Sequence, residues 1–175
     1  MEIQTGGILV AKMNRERAGL WCLLGMGCWL LLIIGCQSSL EEAPAVRETR
    51  YRGILAEDPH STEARYGLGR ACYEQGKYDE ALASFGAVLN ADSTHAGAYV
   101  GRGGVLAQRG DFPQAVAAYE RAIALAGGCA DAYQGLGAIY LRTERYADAR
   151  QAYQKAIELE PDHAPSHYNL GVGYS

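Results

Sequence analysis

Runs of positive charge are missing from this chain. Its 16 Lys and Arg are scattered, and no block of them exceeds a pair. A nucleic-acid binder needs a basic stripe to neutralise phosphates, so that class is set aside. Phe is scarce, with 2 residues against 12 Tyr. The five cysteines do not help: Cys22, Cys28 and Cys36 match no zinc spacing, and no His cluster joins them. A glycine-rich phosphate loop is also lacking, because the 22 Gly recur at a fixed spacing instead. The apolar content of 49% is that of a globular chain rather than a disordered one. The 175 residues suffice for one ordinary domain.

The first 35 residues read as an address. Lys12, Arg15 and Arg17 precede a stretch without charge from Leu20 to Ile34. A positive segment, an apolar segment and then small and polar residues make a secretory signal. Met13 is an alternative start. Without residues 1–35 the chain has 13 bases against 18 acids. The apolar run ends in Ile33-Ile34-Gly35-Cys36, followed by Gln37-Ser38-Ser39. This resembles the lipobox of bacterial lipoproteins. The resemblance implies that the Cys36 thiol receives a diacylglycerol, that cleavage leaves it as the acylated N-terminus, and that two or more acyl chains, palmitate among them, retain the protein at a membrane. Gln37 stands where an Asp would resemble an inner-membrane retention signal, which points to the outer membrane facing the periplasm. A second reading stays open: the apolar stretch from Ala18 to Gly35 is near the lower limit for an uncleaved spanning helix in the inner membrane. Residues 36–44 then form a short polar tether.

The remainder matches itself when shifted by 34 residues. Gly69, Gly103, Gly137 and Gly171 form one column, and Ala81, Ala115 and Ala149 another. Phe85, Tyr119 and Tyr153 make a third, and Tyr78, Phe112 and Tyr146 a fourth. The small columns let two helices approach closely, and the aromatic columns fill the space between them. Gly76 and Gly110 are placed to end first helices. Pro59 and Pro161 close second helices.

A period of 34 with these columns resembles the tetratricopeptide repeat, a helix–turn–helix unit. The resemblance covers roughly residues 45–175. It implies an all-α solenoid, a right-handed superhelix, preceded by the hydrophobic signal helix. The expected layout is a partial repeat or capping helix over 45–61, repeats over 62–95, 96–129 and 130–163, and the start of a fourth over 164–175. That last helix has no second helix to cover it, so the chain is expected to be a fragment of a longer protein or to dock on a partner. Arg102 stands in the column of Leu68 and Leu136, where its stem is expected to cover the core. Glu144 replaces the turn glycine of the third repeat.

In this family the first helices line a concave groove in which peptides and partner segments lie. Helical spacing then selects the groove-facing side chains. The strongest candidates are Tyr66, Arg70 and Tyr73, residue types enriched at binding hot spots. Gln134, Leu141 and Arg142 follow in the third repeat, and Tyr168 and Asn169 in the fourth. Gly67, Gly101 and Gly135 are expected to leave the middle of the groove bare. No groove Lys is present, so a chaperone-tail clamp is not supported.

Catalysis needs converging titratable groups. His60, His95 and His163 fall in inter-repeat loops, and His167 starts a helix. His163 and His167 are four apart, but nothing beyond the adjacent Asp162 completes a metal set. Cys72 falls on a packing column. The expectation is therefore no catalytic residue, no metal and no cofactor. The chain reads as a lipid-anchored adaptor for protein or peptide partners in pilus or secretin assembly, outer-membrane assembly or cell-wall assembly. Two alternatives remain: the repeat region of a larger enzyme or transferase, and an inner-membrane-anchored assembly factor.

Overall fold

The computed structural model describes residues 43–161, and every regular element among them is a helix. Seven follow in order: α1 (Pro44–Glu57), α2 (Thr62–Glu74), α3 (Tyr78–Ala91), α4 (Ala96–Arg109), α5 (Phe112–Ala126), α6 (Ala130–Arg142) and α7 (Tyr146–Leu159). Helices α2 and α3, α4 and α5, and α6 and α7 form three hairpins, and α1 packs on α2. The signal segment, Cys36, the helix from Ala164, Tyr168 and Asn169 lie outside the described residues. Among the described residues no helix is long and apolar enough to cross a membrane.

Local chemistry sets the helix ends. The Ser61 side chain accepts the Ala64 N–H and caps α2, while His95 Nδ1 accepts the Ala98 N–H at 3.1 Å and caps α4. Gly110 ends α4 in the left-handed conformation, φ 84°, which lets the chain reverse into α5. Glu144 takes the same place after α6 at φ 59°, although it has a side chain.

The alanine columns are buried: Ala81, Ala115 and Ala149 face the inside of each hairpin. The rings of Phe85 and Tyr119 each lie between two glycines. A Cβ at Gly69 would come within 2.8 Å of Phe85 Cε1, and one at Gly101, in the next hairpin, within 2.7 Å of the same atom. Tyr119 sits likewise on Gly103 and Gly135, and Tyr51 of α1 on Gly67. The missing side chains therefore set both the spacing within a hairpin and the spacing between neighbours.

One expectation needs correction. The glycines at 67, 101 and 135 do not leave a bare floor, because a ring from the preceding second helix covers each of them. Arg102 is exposed, whereas Leu136 at the equivalent place is buried.

The junction of α1 with the first hairpin is polar. Glu48 is buried, and its carboxylate accepts from Arg52 Nε at 3.0 Å, Gln75 Nε2 at 2.7 Å and Lys77 Nζ at 2.7 Å. Arg52 also reaches Glu80, and Arg47 pairs with Glu74. These contacts fix α1 where a preceding second helix would stand.

Candidate functional site

The tyrosines of α2 have no counterpart in the later hairpins. At the positions of Tyr66 and Tyr73 the second hairpin has Val100 and Ala107, and the third has Gln134 and Leu141. Across from them, α4 offers Gly97, Val100, Gly101 and Gly104 on one helical stripe. The tall side chains of α2 lean over this low stripe. A Cβ at Gly97 would lie 2.9 Å from the Tyr66 hydroxyl, and one at Gly104 would lie 3.4 Å from the Tyr73 hydroxyl.

The result is a notch of about 390 Å³ spanning three first helices. Tyr66, Arg70, Tyr73 and Glu74 form one wall, and Asp131, Gln134 and Ala138 of α6 form the other. The α4 stripe makes the floor, with the buried rings of Phe85 and Tyr119 packed beneath it. Tyr66 packs its ring 4.8 Å from His95 and 6.0 Å from Phe85, centroid to centroid. Tyr73 packs 6.2 Å from Tyr78. These contacts hold both tyrosines as rigid, amphipathic walls.

Burial pushes the Tyr119 hydroxyl far above the usual phenol range, with Tyr73 and Asp131 adding to the effect. Burial also raises the Tyr66 hydroxyl; Arg70 opposes this, while Asp131, Cys129 and Glu63 reinforce it. Both are therefore neutral hydrogen-bonding groups near neutral pH. Glu74 is neutralised by Arg47 from α1. Arg70 is exposed and has no hydrogen-bond or ion-pair partner among the described residues.

The structure thus brings together Tyr66, Arg70, Tyr73 and Gln134. Leu141 and Arg142 do not line the notch. Arg142 lies over the Phe112 ring at 4.9 Å and donates to the Ala107 carbonyl at 3.1 Å, so it ties α6 to the second hairpin. Phe85, Tyr119 and Gly97 are notch residues that sequence reasoning missed. The 34-residue columns marked the two rings as packing groups, and nothing in the period shows that they lie directly beneath the floor of the notch.

A second cluster has ligand-type side chains. Glu48, Cys72 and Glu80 place their donor atoms within 4.8 Å of one another. Lys77 and Arg52 already occupy the Glu48 carboxylate, and Arg52 bridges to Glu80. Burial raises the Cys72 thiol, which favours its protonated form. The chemistry is that of an ion-pair lock between α1 and the first hairpin, with the cations supplied by side chains. Cys72 and Cys129 are both free thiols.

Stacked helical hairpins with a recessed inner face define a repeat scaffold of the solenoid class. Two tetratricopeptide-repeat family profiles match the chain, over residues 40–101 and 94–162. The chain belongs to the tetratricopeptide-repeat family. Solved structures agree. A crystal structure of MamA is 29% identical, with a TM-score of 0.63, covering 75% of this chain and 77% of that one. MamA from Desulfovibrio magneticus RS-1, residue 41 to its end, is 26% identical with a TM-score of 0.63, covering 82% and 81%. The first tetratricopeptide domain of human RPAP3 is 25% identical with a TM-score of 0.62, covering 66% and 91%. No curated protein sequence matches the chain. Repeats of this family are, in general, non-catalytic modules for protein interaction.

Proposed function

We propose that the chain is a non-enzymatic adaptor that holds a peptide segment of a partner protein in the notch, while Cys36 anchors it to a bacterial envelope membrane. The notch carries the first half of this reading. Its volume lies at the small end of the roughly 300–1,000 Å³ usual for ligand sites. It combines aromatic walls with a charged Arg70, residue types enriched at interface hot spots.

The test is site-specific photocrosslinking in expressing cells. A photoreactive residue at Ala138, exposed in the notch wall, is compared with one at Ala124, exposed on the second helix α5. Capture of a defined partner from 138 and not from 124 is expected, with loss of that product in Ala138→Trp, which fills the notch. Equal capture from both positions would refute the notch as the binding site.

Anchoring rests on the sequence: the bases from Lys12 to Arg17, the apolar run and Gly35-Cys36. The expected location is the outer membrane, facing the periplasm. Metabolic labelling with an alkynyl palmitate is expected to mark the wild type, and Cys36→Ser is expected to lose both label and cleavage. A Cys36→Ser variant that still fractionates with membranes at the uncleaved mass would instead establish an inner-membrane helix. Pilus, secretin, outer-membrane or cell-wall assembly are the processes such an anchored adaptor would serve.

A further inference from the structure

We infer that the floor of the notch is a carboxamide subsite: the Tyr73 and Tyr119 hydroxyls, converging over Gly104, take the side-chain amide of an Asn or Gln in the partner segment. This inference rests on the reading of the notch as a peptide site and specifies what enters it.

The two hydroxyls carry the argument. A Cβ at Gly104 would lie 3.4 Å from the Tyr73 hydroxyl and 3.7 Å from that of Tyr119, so both oxygens converge on one point of the floor. The missing side chain of Gly104 leaves that point open. Tyr73 reaches it from the α2 wall. Tyr119 reaches it from beneath, where its ring fits between Gly103 and Gly135. Tyr119 is only 5% exposed, yet it lines the notch. Among the described residues neither hydroxyl has a hydrogen-bond partner, the other included. Tyr119 thus presents a buried polar group to the notch with its bonding capacity unused.

A segment that fills the notch strips water from both hydroxyls, and covering them with an apolar group leaves them unpaired, which costs binding energy. Charge of either sign is disfavoured there. Burial, Tyr73 and Asp131 all raise the Tyr119 hydroxyl, so the field of the Asp131 carboxylate reaches the floor and opposes an anion. A cation would lose its water without gaining an ion pair, because the phenols are neutral and Asp131 is already engaged within the structure. A neutral group that both donates and accepts remains. A primary carboxamide does so with two separate atoms: its oxygen accepts from one hydroxyl and its NH2 donates to the other. A main-chain amide carries a residue on each side and is too bulky for a recess whose deepest ring is almost fully covered, whereas the end of a side chain fits.

The test is selection from a phage-displayed random peptide library on the full chain in detergent micelles, for wild type, Tyr73→Phe, Tyr119→Phe and Ala138→Trp. Both Phe substitutions keep the ring and remove only the hydroxyl, so the packing of Tyr119 on Gly103 and Gly135 is preserved. The wild type is expected to enrich Asn or Gln at one position of a pattern that Ala138→Trp does not enrich. Each Phe variant should keep the rest of the pattern and lose that position. A synthetic peptide of the wild-type consensus should bind Tyr119→Phe about tenfold more weakly, about 1.4 kcal/mol. An analogue with Leu in place of the Asn or Gln should bind wild type and Tyr119→Phe alike, because a site built to hydrogen-bond a group rejects its apolar substitute only while the donors are present. A notch-dependent pattern with a charged, apolar or unselected residue at that place, or a carboxamide preference kept by either Phe variant, overturns the carboxamide assignment alone. No enrichment over Ala138→Trp overturns the peptide site itself and this inference with it.

Discussion

The ring of Phe85 lies directly on Gly101 of the following hairpin, as it does on Gly69 of its own. One side chain thus sets two spacings, and the absence of a Cβ at either glycine is a steric requirement.

Substitution should expose that requirement. Gly101→Ala gains about 1 kcal/mol of helix propensity, but the new Cβ meets a fully buried ring at under 3 Å. Overpacking of this kind costs about 1–3 kcal/mol, so a net loss of up to about 2 kcal/mol is expected. Gly53→Ala is the control. Gly53 is exposed within α1, and a Cβ there meets nothing within 4 Å. That variant should gain about 0.5–1 kcal/mol. Urea midpoints of the two variants moving in the same direction would contradict the steric account.

How much of this was legible beforehand depends on what a repeat can encode. The 34-residue columns revealed Gly76 and Gly110 as turns and Ala81, Ala115 and Ala149 as packing positions, because each is a local requirement met once per unit. They did not reveal that Phe85 meets Gly101. A period groups equivalent residues, but which column touches which depends on how hairpins dock. The same gap explains the notch. Tyr66, Arg70, Tyr73 and Gln134 were selected by helical spacing, whereas the reach of Arg142 to the Ala107 carbonyl depends on a long side chain's rotamer. Glu48 escaped notice because α1 lies outside the repeating units.

Tyr153 occupies the same column as Phe85, with 1% of its surface exposed. Its hydroxyl is buried and has no hydrogen-bond partner among the described residues. A buried, unsatisfied hydroxyl costs about 1–3 kcal/mol. Tyr153→Phe keeps the ring on Gly137 and removes the hydroxyl. Thermal unfolding should shift upward, by about 1 kcal/mol or more in stability. A clear decrease would show that the hydroxyl is bonded in the folded state.

Glu144 takes the place that Gly110 holds after α4, and both have positive φ. The left-handed conformation costs a residue with a Cβ about 1–2 kcal/mol, partly offset by the extra chain entropy that glycine loses on folding. Glu144 is exposed, so its removal sacrifices no packing. Glu144→Gly should stabilise by about 0.5 kcal/mol, and Gly110→Ala should destabilise by about 1 kcal/mol. Chemical denaturation of the pair tests this: opposite signs are expected, and equal signs would remove backbone strain as the explanation.

Acid should release α1 before the hairpins unfold. Hydrogen bonds from Lys77, then Gln75, then Arg52 lower the Glu48 carboxyl from 4.5 to about 2, against the opposing effect of burial. Lys77 and Arg52 are raised in turn by the same carboxylate. A carboxyl depressed in the folded state binds protons more readily once unfolded, so its contribution is complete above about pH 4.5 and is lost as pH falls towards about 2. Glu80 and Cys72 stand beside Glu48, and Arg52 bridges the two carboxylates. Protonation therefore leaves two cations facing each other across the α1 junction. Hydrogen exchange of α1 amides, followed from about pH 6 down to about pH 3, should show protection falling in that window while α4 and α5 remain protected. Glu48→Gln should weaken α1 already at about pH 6 and flatten the dependence below it, because the titrating group is gone. Asp92 is also lowered, through its bonds from Thr94, and so contributes to acid sensitivity in both proteins. The difference between wild type and Glu48→Gln isolates the lock, and parallel profiles for the two would show that Glu48 does not hold α1 in place.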